Sequence, residues 1–190
     1  VYGIHAGNVT MENGSKTGFA GSPTVNINMD NGGSDFNGDA VMGIDANVLT
    51  VKDKARLNIK VTGRALDPTK EGISYAEGAT RGRVNMAIRA DSMKLLDSAS
   101  VDIISHANVI SDIYLTGSGD ALTVNTTGHL NIKNEGNVTF ADQDGDWNLR
   151  NGYPCDNIHL HGTDATFKIE KAEEGVAIDS YSDNVDDWYE

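Results

Sequence analysis

The feature that most constrains this chain is a short box that recurs about every 40 to 45 residues. Each copy is a glycine or alanine, an isoleucine, a polar residue and a small residue, preceded by one further side chain. The four copies are Tyr2-Gly-Ile-His-Ala6, Met42-Gly-Ile-Asp-Ala46, Met86-Ala-Ile-Arg-Ala90 and Val176-Ala-Ile-Asp-Ser180. Self-similarity at this spacing is typical of chains built from stacked units, each too thin to bury an apolar face alone.

A second pattern, a pair of short alternating strands, lies between the boxes. In each copy a small residue precedes the second strand. The copies are Leu49-Thr-Val51 with Ala55-Arg-Leu57-Asn-Ile59, Leu95-Leu96 with Ala99-Ser-Val101-Asp-Ile103, Leu122-Thr-Val124 with Gly128-His-Leu130-Asn-Ile132, and Ile158-His-Leu160 with Ala165-Thr-Phe167-Lys-Ile169. Alternation with a period of two places one set of side chains on a buried face and the other set outside.

Together the two patterns predict an all-β fold: a single-stranded right-handed parallel β-helix (β-solenoid) with irregular loop insertions. Stacked coils would align the Ile, Val and Leu positions in ladders and place Ala or Gly at tight corners. A β-propeller or sandwich is the alternative, although the recurring aromatic signature of propeller blades is not visible. Only residues 90–97 have a pattern that suits one or two helical turns. Residues 1–190 are predicted to form one domain, with 181–190 as an acidic C-terminal tail or cap.

Composition narrows the classes of function. The formal net charge of −13 argues against a nucleic-acid partner, because neutralising phosphates needs an excess of Lys and Arg. No apolar run reaches the roughly 18 residues of a membrane span. The only cysteine, Cys155, excludes a disulfide framework. Motifs of serine hydrolases and zinc proteases are absent from the sequence, which favours a protein without catalytic activity.

The box, followed by a Leu-Thr-Val strand and then Ala-Arg-Leu-Asn-Ile, resembles the degenerate repeats of β-solenoid domains in large surface proteins of anaerobic gut Firmicutes. It is also similar to calcium-dependent carbohydrate-binding β-helix proteins. The resemblance covers residues 2–180 at the level of repeat style. It implies a secreted or cell-surface location, a glycan ligand and bound calcium. Those carbohydrate-binding proteins often carry an acidic Asp-Asp-Gly-Ile box, whereas Tyr2, Met42 and Glu71 precede Gly-Ile in this chain.

Two acidic loops are candidate calcium sites, because Ca²⁺ takes six to eight oxygen ligands in flexible geometry. The first candidate alternates three aspartates around a glycine, and its residues are Asp142, Asp144 and Asp146. The second is a looser loop whose aspartates are Asp30, Asp35 and Asp39. Solvated acidic turns are the alternative interpretation of both.

Aromatic residues are scarce in this chain, at 6%, so a local group of them is informative. Trp147 and Tyr153 flank a polar stretch in which Asn148 could bond sugar hydroxyls while the rings stack on sugar faces. Packing within the loop is the alternative. Trp188 and Tyr189 more simply cover the last strands as a cap.

His159 and His161 lie two residues apart on a predicted strand and so point to one face. That spacing suits a transition metal, but the sequence places no third ligand beside them. A row of surface histidines is the alternative interpretation.

These features predict an extracellular surface module that binds a polysaccharide or host glycan, with structural calcium. A ligand-free structural stalk repeat of a large surface protein is the alternative from another class. A polysaccharide lyase is the catalytic alternative, because an active site assembled from neighbouring strands leaves no contiguous motif. The sequence does not indicate the oligomeric state.

Overall fold

The computed structural model describes residues 2–13, 21–31, 41–63, 85–106, 109–134 and 156–180. These residues form strands and turns, and none of them is helical. The strands are β1 (Tyr2–Met11), β2 (Thr24–Asn31), β3 (Val41–Val51), β4 (Arg56–Gly63), β5 (Asn85–Asp97), β6 (Ser100–His106), β7 (Val109–Leu115), β8 (Asp120–Thr126), β9 (His129–Asn134), β10 (Asp156–Leu160), β11 (Thr166–Ala172) and β12 (Gly175–Ser180). Within the described residues, no helix is long and apolar enough to cross a membrane.

All strand pairs among the described residues are parallel and belong to two sheets. In the seven-stranded sheet β1, β3, β5, β7 and β10 lie side by side, while β8 pairs with β5 and β11 pairs with β8. The five-stranded sheet has the order β12-β9-β6-β4-β2. Most strands that are consecutive in the chain therefore lie in different sheets, and each strand pairs with strands that are not next to it in the sequence.

The predicted single-stranded right-handed β-helix is wrong, although the described residues are all-β. Their strands form two separate parallel sheets and close into no single coil. Alternating apolar residues require only that each strand bury one face and stack on similar strands. Two sheets packed against each other satisfy that requirement as well as a closed coil does, so the pattern could not distinguish between them.

The isoleucines of the first three boxes pair across neighbouring strands. Ile4 pairs with Ile44 and Ile44 with Ile88, and the row continues through Ile113 to Ile158. The three central members of this row are fully buried.

The fourth box lies in the other sheet. Ile178 belongs to β12 and pairs with Ile132 of β9. The strand that contains Phe167, β11, shows the same effect. It pairs with β8 in the seven-stranded sheet, whereas the strands with a similar sequence pattern, β4, β6 and β9, belong to the five-stranded sheet. Both sheets contain the same apolar-x-apolar pattern, so similarity of pattern does not reveal which sheet a strand joins. On these two outermost strands the pattern is not fully buried, since Ile169 and Ile178 are exposed.

The core lies between the sheets. Gly43 shows how closely they approach: a Cβ there would lie 2.9 Å from Ile59 Cγ2 of the five-stranded sheet and 2.6 Å from the Ala87 carbonyl oxygen. The largest fully buried side chains are Ile44, Leu49, Leu57, Ile59, Ile88, Met93, Leu95, Ile103, Ile113, Leu115, Leu122 and Leu130.

The long strands of the seven-stranded sheet bend midway. Ile44 and Ala46 are buried in β3, and so are Leu49 and Val51, so the buried positions change from even to odd residue numbers. Such a change requires a bend or bulge in the backbone. In β5 the two halves accordingly pair with different strands, residues 85–90 with β7 and residues 93–97 with β8. The prediction of helical turns over residues 90–97 is therefore wrong.

Aspartates link successive turns between the sheets. Asp53 and Asp97 have φ values of 58° and 61°, a left-handed conformation that Asp adopts more readily than most residues. The N–H of Asn13 donates to Asp53 Oδ2 at 3.0 Å, and the N–H of Asp53 donates to Asp97 Oδ2 at 3.1 Å. The backbone at Asn13 is therefore bonded by the carboxylate of the Asp53 turn, and the Asp53 turn by the carboxylate of the Asp97 turn.

Among the described residues, one carboxyl group is completely shielded from solvent. Asp112 in β7 is fully buried, and neither of its side-chain oxygens has a hydrogen-bond partner among the described residues. Burial raises the pKa of Asp112 to about 6, opposed in part by the nearby Ser105 hydroxyl, which lies outside strict hydrogen-bonding geometry. The neutral acid is therefore the form that suits this site.

We expect Gly43→Ala to lower the free energy of unfolding by about 1–3 kcal/mol, because the added methyl overpacks the space between the sheets. Chemical denaturation measures the effect. Gly7→Ala in β1 is the matched control, since its Cβ would have no neighbour closer than Asn47 Nδ2 at 3.9 Å. Equal stability of the two variants would contradict the close approach at Gly43.

Asp112 makes stability depend on pH. Its folded-state pKa lies above the unfolded value, so the folded state binds more protons between about pH 4 and pH 6, and stability falls as pH rises through that range. The loss is up to about 3 kcal/mol, at about 1.4 kcal/mol for each unit of pKa difference. Asp112→Asn should remove this component, so the stability difference between variant and wild type should change with pH. A constant difference from pH 3 to pH 8, measured by denaturation, would contradict this assignment.

Candidate functional site

A row of polar and aromatic side chains crosses the outer face of the seven-stranded sheet. His5 pairs with Asp45, Asp45 with Arg89, Arg89 with Tyr114, and Tyr114 with His159. Each follows an isoleucine of the row that packs toward the core, so strand alternation directs it to the other face. These five residues, with Tyr2 and His161, are named the ring ladder.

The centre of the ring ladder is an ion-paired cluster on Asp45. His5 Nδ1 lies 2.9 Å from Asp45 Oδ2, and Arg89 Nη1 donates to Asp45 Oδ1 at 2.8 Å. The Asp45 side chain is only 8% exposed, whereas His5 is 66% and Arg89 43% exposed. The buried carboxylate thus holds two solvent-facing groups in place. Because a guanidinium has five N–H donors, Arg89 retains donors for a ligand.

Aromatic rings occupy both ends of the ring ladder. The Tyr114 and His159 rings stack with centroids 5.0 Å apart and planes 9° apart, and His161 lies 5.5 Å from Tyr114. At the other end Tyr2 and His5 are 4.8 Å apart. Burial raises the pKa of Tyr114, against the lowering effect of the Arg89 charge. The phenol is therefore neutral at physiological pH, and its O–H can donate a hydrogen bond.

The ring ladder is long and shallow. It takes one residue from each of five adjacent strands, and neighbouring strands lie about 4.8 Å apart, so it extends roughly 19 Å from β1 to β10. A surface of this shape suits an extended ligand that crosses the strands, with rings at each end and charged groups at the middle.

Most of the residues predicted from the sequence to form a site lie outside the described residues. They are Trp147, Asn148, Tyr153, Asp142, Asp144, Asp146, Asp35 and Asp39, and the predicted glycan and calcium sites that they form stay predictions. Asp30 belongs to β2, where it pairs with Thr62, and so is not part of a loop as predicted.

The two histidines singled out by their spacing do share a face. The His159 and His161 rings are 5.8 Å apart, and both contact Tyr114. Across the described ranges no group of three or more His, Cys, Asp or Glu side chains is arranged to hold a metal ion. With Tyr114 the two histidines form one surface of rings.

Sequence reasoning missed the centre of the ring ladder, although its signal is present in the boxes. The residue after the isoleucine is His5, Asp45 and Arg89 in successive copies. If the boxes stack in register, these side chains become neighbours and a carboxylate falls between an imidazole and a guanidinium. Alignment of the boxes by strand register, as well as by similarity, would have predicted this cluster.

Comparisons of this chain with protein-family models, with curated proteins and with solved structures found no match. The resemblance to surface proteins of gut Firmicutes therefore stays a prediction. What the ring ladder can do follows from the geometry of its side chains.

We expect Asp45→Ala to lower the free energy of unfolding by about 1–3 kcal/mol, because it removes a carboxylate that accepts two charge-assisted hydrogen bonds. Asp91→Ala is the control: this exposed aspartate, in β5, accepts one bond, from the Thr116 hydroxyl at 2.6 Å, and its loss should cost less than about 1 kcal/mol. Urea denaturation of both variants measures the costs. Equal costs would show that Asp45 does not organise its neighbours.

Proposed function

We propose that this chain is a glycan-binding module of a secreted or cell-surface protein, and that the ring ladder binds an extended carbohydrate chain. The observation that carries the proposal is the placement of aromatic rings at both ends of a row whose centre is a charged, hydrogen-bonding cluster. Tyr2, His5 and His161 are exposed, and Tyr114 and His159 are half-buried. Both tyrosines among the described residues belong to this row, in a chain that has only six tyrosines in all.

Stacking supplies the first part of the argument. One face of a sugar ring carries C–H groups that pack well against an aromatic ring, and the ring edges carry hydroxyls that need hydrogen-bond partners. Tyr114 with His159 and His161 offers such a surface at one end. Tyr2 with His5 offers a second surface, and Tyr2 is 49% exposed. A single-sugar ligand would use only one of the two.

Hydrogen bonding supplies the second part. Between the ring clusters, Arg89 presents N–H donors, and Asp45 fixes the position of the guanidinium. A preorganised donor loses little conformational entropy when a ligand binds. Sugar hydroxyls or a sugar carboxylate are acceptors that would use these donors. The net charge of −13 argues against nucleic acid as the ligand that stacks on these rings.

Substitution of the stacking ring tests the proposal. In a glycan array and in pull-downs on insoluble polysaccharides, Tyr114→Ala should weaken binding roughly fivefold, which corresponds to the loss of about 1 kcal/mol from an aromatic contact. Tyr114→Phe should bind like the wild type, because it retains the ring. Arg89→Gln should also weaken binding, whereas Lys94→Gln, with the same charge change on the same strand outside the ladder, should not.

The binding assays are run with added Ca²⁺ and again with chelator, since the calcium prediction is open. Absence of glycan binding by the wild-type protein under both conditions would overturn the proposal. So would binding that Tyr114→Ala and Arg89→Gln leave unchanged, because the ligand would then occupy another surface.

A further inference from the structure

A polar groove crosses the outer face of the five-stranded sheet where its strands begin. It has a volume of about 540 Å³ and runs from the start of β2, past β4, β6 and β9, to Glu174 just before β12. It lies on the opposite sheet from the ring ladder and shares no residue with it. We name it the entry groove, after its position at the start of these strands.

One wall of the entry groove is acidic. His129 lies between two carboxylates, with Nε2 3.0 Å from Asp102 Oδ2 and Nδ1 3.1 Å from Glu174 Oε2. Burial alone would lower the pKa of His129, but its hydrogen bonds to the two carboxylates and their charges outweigh that effect and raise it. Asn131 Nδ2 also donates to Asp102, at 3.3 Å. These contacts fix two acceptors that face the groove.

The other wall carries two cations that have no partner among the described residues. Lys54 and Arg56 are exposed, and neither makes an ion pair or a side-chain hydrogen bond with any described residue. The chain contains 28 acidic residues against 15 lysines and arginines, so partners for a surface cation are abundant. Two cations in one groove that are unpaired among the described residues, in a chain so rich in carboxylates, indicate that the groove suits an anionic group.

Between the walls the floor is small and rich in hydroxyls. Ser98 and Ser100 line it, and a Cβ at Gly128 would collide with the Ala99 carbonyl oxygen and the Ser100 hydroxyl. Ser100 Oγ accepts the N–H of His129 at 3.4 Å. Arg56 and His129 are on strands two places apart, which puts the walls about 10 Å apart at the backbone. The space is open to a single sugar ring with its substituents.

We propose that the entry groove is a second binding site and that it takes an acidic sugar residue. The carboxylate or sulfate of the sugar lies between Lys54 and Arg56. Its hydroxyls donate to Asp102 and Glu174 and bond the floor serines. A simple anion meets repulsion from the acidic wall and a neutral sugar leaves the cations unused, so the groove discriminates against both.

The proposal is tested by NMR titration of the wild-type protein with glucuronate. We expect saturable shifts of the backbone amide signals of Ser98, Ser100 and His129. Arg56→Gln and Lys54→Gln should each weaken binding about tenfold, as loss of a charge-assisted hydrogen bond does. Lys60→Gln is the matched control: it removes the same charge from an exposed position on β4 outside the groove and should leave the affinity unchanged.

Four further titrations complete the test. Glucose 6-sulfate should bind in the same place, and glucose should bind at least about tenfold more weakly than glucuronate. The proposal would be overturned if neither acidic sugar showed saturable binding. It would also be overturned if glucose or inorganic sulfate bound as tightly as glucuronate. Loss of as much affinity in Lys60→Gln as in Arg56→Gln would contradict it as well. Tyr114→Ala should bind glucuronate normally, which separates this site from the ring ladder.

Discussion

In-register parallel pairing is the constraint on which the rest of this structure depends. Because Ile4, Ile44 and Ile88 are aligned across neighbouring strands, all the remaining residues of those strands are aligned as well. A shift of one residue would move a whole set of side chains to the opposite face. Buried rows and surface rows are therefore set together, and the ring ladder exists because the isoleucines beside it are in the core.

The sequence was a good guide to strands and a poor one to how the sheets are arranged. Alternation predicted that Leu57 and Ile59 face the core, and both are buried. It could not tell two sheets from a closed coil, because both bury the same faces. Nor could it predict that Ile178 joins the five-stranded sheet while Ile44 joins the seven-stranded one, since sheet membership is decided by the path of the whole chain.

The candidate sites were harder to predict than the strands. The sequence predicted sites in loops dense in Asp and Trp. The clusters that the structure brings together instead consist of single residues from separate strands. Asp102 and His129 contact each other although they are far apart in sequence, and no local motif records such a contact. The shared face of His159 and His161 followed from their spacing, whereas the box position shared by His5, Asp45 and Arg89 required strand register to interpret.

The aspartate-linked turns have a consequence for synthesis of the chain. The N–H of Asn13 is bonded by Asp53, and the N–H of Asp53 by Asp97, so each acceptor lies C-terminal to its donor. During translation a turn emerges from the ribosome before the carboxylate that secures it. The turns at Asn13 and Asp53 therefore each gain this hydrogen bond only after a further 40 or 44 residues have been synthesised.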